Sequence, residues 1–194
     1  MNPKYEFTGE TMDCFGYTLR QIEAIENFGD VKKGDIGGWI ETEKNLSMYG
    51  NAWVSDDARV FGNALVYGDA RVFGNARVSG DALVFGNALV YDDAWVFGNA
   101  LVSDDARVSG DARVFGDARV FGQYDYILIG AIGSRNDATT FFRLKQGGIG
   151  VKCGCFFGTI DEFEKAVHKT HAGNEHEKAY MAAIRMAKEV VIHD

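Results

Sequence analysis

The sequence predicts a mainly β chain: a parallel β-helix, or β-solenoid, of eighteen residues per coil, followed by a small α+β C-terminal module. Three observations carry this. From Asn51 to Gly122 one six-residue phrase, Gly/Asp-Asn/Asp-Ala-x-Val-x, recurs without insertion, and a fixed short period is the mark of a solenoid. Ala and Val stand two apart in every phrase, so both point to the same side of a strand and line an interior. After Gly122 the period stops, and alternating strands and two capped helices follow. The predicted division is an N-terminal cap over 1–38, the solenoid over 39–123 and the α+β module over 124–194.

The Gly/Asp-Asn/Asp pair supplies each corner, because these residues tolerate φ > 0 and hydrogen-bond their own backbone. Three corners close a coil. Residues eighteen apart then stack about 4.8 Å apart, one strand spacing. Two corner columns, Asn51-Asp69-Asn87-Asp105 and Asn63-Asp81-Asn99-Asp117, alternate amide and carboxylate and so keep like charges apart. The third, Asp57-Asn75-Asp93-Asp111, breaks the alternation once.

The outward columns differ between walls. The first carries Trp53, Arg71, Leu89 and Arg107. The second carries Arg59, Arg77, Trp95 and Arg113, a candidate anion site beside a stacking aromatic; the competing role for these arginines is pairing with corner aspartates. The third carries Leu65, Leu83 and Leu101 beside Tyr67, Phe85 and Phe121, a nearly continuous apolar wall. Full cover would gain roughly 1.5–3 kcal/mol per side chain, and such patches mark interfaces. The covers available are a homotrimer packed wall to wall about a threefold axis, which is the preferred expectation, or the tail helices folded back. At the corners, Asp56, Asp57, Asp92 and Asp93 offer carboxylates to a cation, against the simpler role of solvated turn residues.

Composition narrows the partners. A formal net charge of −8 argues against general nucleic-acid binding. The 3 cysteines are an odd number, and with no leader-peptide pattern they predict a reducing, cytoplasmic setting. No apolar run approaches the roughly 18 residues that span a bilayer, so no membrane partner is expected.

Residues 1–38 lack the hexad and are expected to cap the open end of the solenoid, where strand edges need covering. Phe15 to Phe28 reads as strand and turn or as a short helix, with strand preferred. Asp30 to Ile40, with three glycines and Trp39, suits a tight lead-in to an irregular first coil starting near Gly38. Ile40 and Leu46 fall in the phase of the alanines. The runs Arg20-Gln21-Ile22-Glu23-Ala24-Ile25, Asn27-Phe28-Gly29-Asp30-Val31-Lys32-Lys33-Gly34-Asp35-Ile36-Gly37-Gly38-Trp39-Ile40-Glu41 and Asn45-Leu46-Ser47 resemble the leading segment of YdcK-like hexapeptide-repeat proteins. The resemblance covers about residues 17–122. It implies a left-handed β-helix, a family named for acyltransferases, and relatives in phages and prophages. Enzymes of the wider hexapeptide class resemble one another in placing a histidine on a loop that interrupts a coil, with acyl-CoA between subunits. This sequence departs from that pattern: His168, His171, His176 and His193 all follow the repeat, and no loop interrupts residues 51–122.

In the tail, Tyr124–Ile132, Thr139–Leu144 and Ile149–Phe157 read as strands separated by polar turns. Thr159-Ile160-Asp161-Glu162 and Asn174-Glu175-His176-Glu177 each have capping-box spacing. The first helix places Ile160, Phe163, Val167 and His171 on one stripe, and the second places His176, Tyr180, Ile184, Ala187 and Val191 on one. Ser134, Arg135, Asn136, Thr139 and Thr140 form a candidate grip for a phosphate or carboxylate, against a plain solvated turn. Cys153, Cys155, His171 and His176 include the donor types of a zinc site. The competing reading is stronger, with Val151, Cys153, Cys155 and Phe157 alternating on one apolar strand face. No cofactor or metal is expected. The expected function is a non-enzymatic oligomeric scaffold in a phage or prophage setting, binding a host protein or a small anionic ligand through the C-terminal module. The alternative is a hexapeptide-repeat acyltransferase.

Overall fold

The structure, a computed structural model, describes residues 3–191. Strands β1 (Tyr5–Cys14) and β2 (Tyr17–Ala24) form an antiparallel hairpin, and β3 (Ile36–Ile40) pairs antiparallel with β2. The preferred strand over the Phe15 to Phe28 stretch is therefore present. The sequence shows no clear alternation over the first strand, because a bulge lies between Phe7 and Thr11, where Gly9 has φ 97°. β4 to β15 are twelve two-residue strands, each the x-Val pair of one hexad, from Trp53–Val54 to Arg119–Val120. They stack in parallel into three walls of about five coils, with β3 as the first rung of the second wall.

Every Ala and Val of the repeat is fully buried. At the corners the residue before Asn/Asp is left-handed. It is Gly at most of them and Asp at Asp56, Asp92 and Asp104, with φ 54–58°. A Cβ on Gly80 would sit 2.9 Å from the nitrogen of Gly98 one coil above, so both backbone angle and space favour glycine there. The Asn/Asp alternation has a direct meaning. Asn51, Asn63, Asn87 and Asn99 each donate to the carboxylate of the aspartate above at 2.7–3.1 Å. Asp56 and Asp92 accept the backbone N–H of Gly74 and Gly110, the role of turn residues.

The lead-in differs from the hexad phase. Trp39 pairs with Arg59 and Ile40 with Val60, while Leu46 bridges Val66. Each is displaced by twenty residues where regular coils are displaced by eighteen. Ile40 and Leu46 thus occupy the valine column, not the alanine column, and the two extra residues lie between Leu46 and Trp53. Both columns face inward, so inward-facing character alone does not distinguish them.

The bonds of each parallel ladder join one coil to the next on both sides of the strand pair. N–H groups flanking the strands donate to carbonyls of the coil that follows, as in Trp53 N to Ala70 O at 3.0 Å and Leu83 N to Ala100 O at 2.9 Å. At either end of the solenoid the outermost coil has no neighbour, and its edge groups must find other partners. At the start, Lys4 Nζ donates to the carbonyls of Gly50 (3.1 Å) and Ala52 (2.8 Å), Asn45 Nδ2 to those of Gly62 and Ala64, and Tyr5 Oη to that of Leu46. At the far end, Asp125 accepts from the N–H groups of Phe121 (2.8 Å) and Gly122 (2.9 Å), and Thr140 Oγ1 accepts from that of Arg113 (2.9 Å).

The tail is an antiparallel sheet of β16 (Tyr126–Ile132), β17 (Asp137–Arg143), β18 (Ile149–Cys153) and β19 (Phe156–Thr159) with helices α1 (Ile160–His171) and α2 (Glu175–Val190). Both faces of the sheet are used. Tyr126, Leu128, Phe142 and Leu144 plug the end of the solenoid, and Ile127, Ile129, Phe141 and Val151 pack with α1 and α2. The Thr159–Glu162 capping box is complete. At α2 only half forms: Asn174 accepts from His176 and Glu177, whereas the Glu177 carboxylate accepts from Gly173 and meets His168. Ile149 to Phe157 is not one strand, because Gly154 at φ 52° turns the chain into a β18–β19 hairpin. Among the described residues no helix is long and apolar enough to cross a membrane.

Candidate functional site

The hairpin turn Gly154-Cys155 brings together side chains from five parts of the tail around a cleft of about 300 Å³. Ser134 and Arg135 enter from the β16–β17 turn, Cys153 and Cys155 from the β18–β19 hairpin, Phe156 from β19, Phe163, Val167 and His171 from α1, and Tyr180 from α2. Gly133, at φ 72°, leaves room for Tyr180: a Cβ there would overlap the phenol. Burial and the contact with Cys153 push the Tyr180 hydroxyl up to about 12, so it stays protonated near neutral pH. Cys153 is half-buried, accepting from Thr139 Oγ1 at 3.2 Å and donating to Tyr180 Oη at 3.7 Å. Cys155 is exposed and accepts from Arg135 Nη2 at 3.7 Å. Lys152 stands nearby, its ammonium lowered by burial and the charge of Arg113.

Two separate sequence candidates thus meet in one place, and each is changed by the meeting. Of the expected anion grip, Ser134 and Arg135 line the cleft. Asn136 is an exposed left-handed turn residue, and Thr139 and Thr140 are buried with their hydroxyls engaged, one beside Cys153 and the other on the solenoid. Adjacent strand residues face opposite sides, so Thr139 and Thr140 do not share a ligand. Of the zinc-type set, Cys153, Cys155 and His171 reach the cleft, while His176 packs against the His171 ring from outside it. No cluster able to hold a metal forms among the described residues; His193 lies outside them. The expected apolar face of Val151, Cys153, Cys155 and Phe157 does not form, since Cys155 sits in the turn and Phe157 packs on Phe115 of the solenoid. In the sequence Tyr180 is a stripe residue of the second helix, and its hydroxyl is the signal of a further role.

The second-wall column Arg59-Arg77-Trp95-Arg113 stacks in register. The tip of the β1–β2 hairpin lies on it. Phe15 stacks on Trp95 at 5.8 Å, and the Arg77 guanidinium stands 5.7 and 5.6 Å from the Phe15 and Trp95 rings. Neither Arg59, Arg77 nor Arg113 pairs with a carboxylate among the described residues, and the Nε atoms of Arg59 and Arg77 are buried without an acceptor. For Arg77, stacking under a strap takes the place of that pairing. On the third wall, Leu65, Leu83 and Leu101 pair in one sheet, and Tyr67 stacks on Phe85 at 4.7 Å. These residues, with Phe121, are half-buried in the single chain.

A family model described as the YdcK β-solenoid repeat matches residues 52–68, 58–72, 70–84 and 106–122. This is a YdcK-like repeat protein with a β-solenoid. A protein of Escherichia coli (strain K12) named "Uncharacterized acetyltransferase YdcK" is 53% identical over 38 residues, covering 20% of this chain and 12% of that protein. The shared stretch is thus a small part of that relative's length. The matched YdcK-type repeats all lie in the solenoid; the tail cleft lies beyond them.

Proposed function

We propose that the chain is a binding protein in which a capped, rigid solenoid presents the tail cleft to a small ligand that has an apolar body and an anionic group. The carrying observation is the Arg135 guanidinium, with Ser134, at the rim of a cleft lined by Phe156, Phe163 and Tyr180. Ligand sites combine apolar walls with a few convergent polar groups, and about 300 Å³ is at the small end of their range. That size suits a small metabolite better than a whole acyl-CoA. Copies of the chain assemble through the third wall, which neither the strap nor the tail sheet is built to cover.

A second reading, acyl transfer, is favoured by the name of the E. coli relative. It places no histidine on the solenoid, so a base would come from the tail. Thermal unfolding with small carboxylates, organic phosphates and acetyl-CoA tests both. A ligand at a hundred times its Kd stabilises by about 2.7 kcal/mol. Stabilisation by small anions that Arg135→Gln abolishes supports the cleft. Stabilisation by acetyl-CoA alone, unchanged by that substitution, overturns it in favour of the transferase.

A further inference from the structure

We propose that Cys155 and Cys153 form a reactive dithiol that exchanges with small, carboxylate-bearing disulfides in the tail cleft, Cys155 attacking and Cys153 resolving. The preference for carboxylate rests on the anionic-ligand reading above; the dithiol itself does not.

Cys153 pairs across the hairpin with Phe156, leaving Gly154-Cys155 as a two-residue turn. Residues two apart in a tight turn have Cα atoms roughly 5–7 Å apart, which overlaps the roughly 4.4–6.8 Å that a disulfide spans. Both thiols line the same cleft, and their surroundings are opposite. The exposed Cys155 sulfur receives an N–H from the Arg135 guanidinium, the surroundings of an attacking sulfur. The half-buried Cys153 sulfur donates to the Tyr180 hydroxyl and accepts from Thr139, the surroundings of a resolving sulfur set back from solvent. Lys152, hydrogen-bonded to the Gly154 carbonyl in the same turn, adds a second cation beside the pair. The third thiol, Cys14, lies in the strap, buried with Leu19 against Phe61 of the solenoid, and serves as an internal control.

The chemistry closes without another reactant. The Cys155 thiolate attacks one sulfur of the small disulfide, the S–S bond breaks, and one thiolate leaves. Cys153 then attacks the Cys155 sulfur of the mixed disulfide and releases the second half as a thiol, its own proton passing to the departing sulfur. The protein pair is oxidised by two electrons, and the disulfide is reduced to two thiols.

The test treats the reduced full chain with oxidised glutathione, which is anionic, or cystamine, which is cationic, followed by intact mass and peptide mapping; melting curves check that each variant is folded. Expected are a Cys153–Cys155 link with Cys14 free in the native chain, and a stable glutathione mixed disulfide on Cys155 in Cys153→Ser. Reaction in Cys155→Ser should be at least about tenfold slower, and Arg135→Gln should slow reaction with glutathione more than with cystamine. Equal rates for the native chain and Cys155→Ser, or no mixed disulfide in Cys153→Ser, overturn the proposal. Trapping on Cys155 equally fast with both reagents supports the dithiol and overturns the anionic preference. Stabilisation of Cys155→Ser by S-methylglutathione, with no trapping in Cys153→Ser, overturns the dithiol and leaves the ligand reading standing.

Discussion

Lys4 shows how one residue answers a demand set by the open end of the ladder. The first coil has carbonyls with no coil before it to donate to them, and the Lys4 ammonium is buried to serve those of Gly50 and Ala52, with the Phe28 ring 4.8 Å away. Burial, followed by the charge of Arg71, lowers its pKa from 10.5 to about 8. Between these values the unfolded chain holds a proton that the folded chain has released, so stability rises with pH across that window. Burial raises the Tyr5 hydroxyl above its ordinary 10.0, and that works the other way: above about pH 10 the unfolded state loses a proton that the folded state keeps. The thermal midpoint is therefore expected to climb from pH 8 to 10 and turn over beyond. Lys152 adds to the climb with the same sign. In Lys4→Met the climb should flatten; an identical pH profile in the variant would remove this account. Nothing in the sequence marked Lys4, because its partners lie more than forty residues away.

At the scale of elements, the two caps satisfy edge groups that no neighbouring coil can reach. Donor side chains (Lys4, Asn45, Tyr5) serve carbonyls at the first coils; at the far end Asp125 and Thr140 accept N–H groups, while Tyr126 Oη donates to the Arg107 carbonyl and the Lys145 N–H to that of Asp117. Asp125 also pairs with Arg143, and the Asp125 carbonyl accepts the Arg143 N–H at 2.8 Å, which ties β17 to the last coil. Asp125→Ala leaves two N–H groups without an acceptor and is expected to cost roughly 2–4 kcal/mol, seen as a lower denaturant midpoint. Asp125→Asn, which keeps an oxygen acceptor, should lose less. Equal losses would place the effect elsewhere. The repeat was legible because each inward position follows from a period of two within a period of six. The twenty-residue first coil was not, since alanine and valine columns both point inward. In the tail the sequence carried the strands and cap signals, but Cys-Gly-Cys reads equally as strand or turn until Gly154 adopts its left-handed angle. The cleft was half legible: Ser134, Arg135, Cys153, Cys155 and His171 were each singled out. Their meeting depends on a hairpin turn and two helix docking angles that no local pattern specifies.

For the whole molecule, the question is which wall remains open once the chain has covered what it can. Phe28 and Tyr5 pack on Trp53 of the first wall, and the strap packs on Phe61, Arg77 and Trp95 of the second. The tail plugs the end, touching the third wall's side at its margin, where Arg143 lies 5.9 Å from the Phe121 ring. Leu65, Leu83 and Leu101 remain an in-register apolar column. Wall-to-wall assembly of three copies would remove that column from water, and a straight wall allows every rung to contribute. Because Leu83 and Leu101 are direct neighbours across a strand pair, two aspartates there would repel each other within one chain. Leu83→Asp with Leu101→Lys sets opposite charges side by side, so the solenoid keeps its own stability while the apolar wall is lost. Light scattering is expected to give the mass of three chains for the native protein and of one for this variant, with far-UV circular dichroism unchanged. A native protein that is already monomeric, or a variant that keeps the native mass, would leave the third wall without an assembly role.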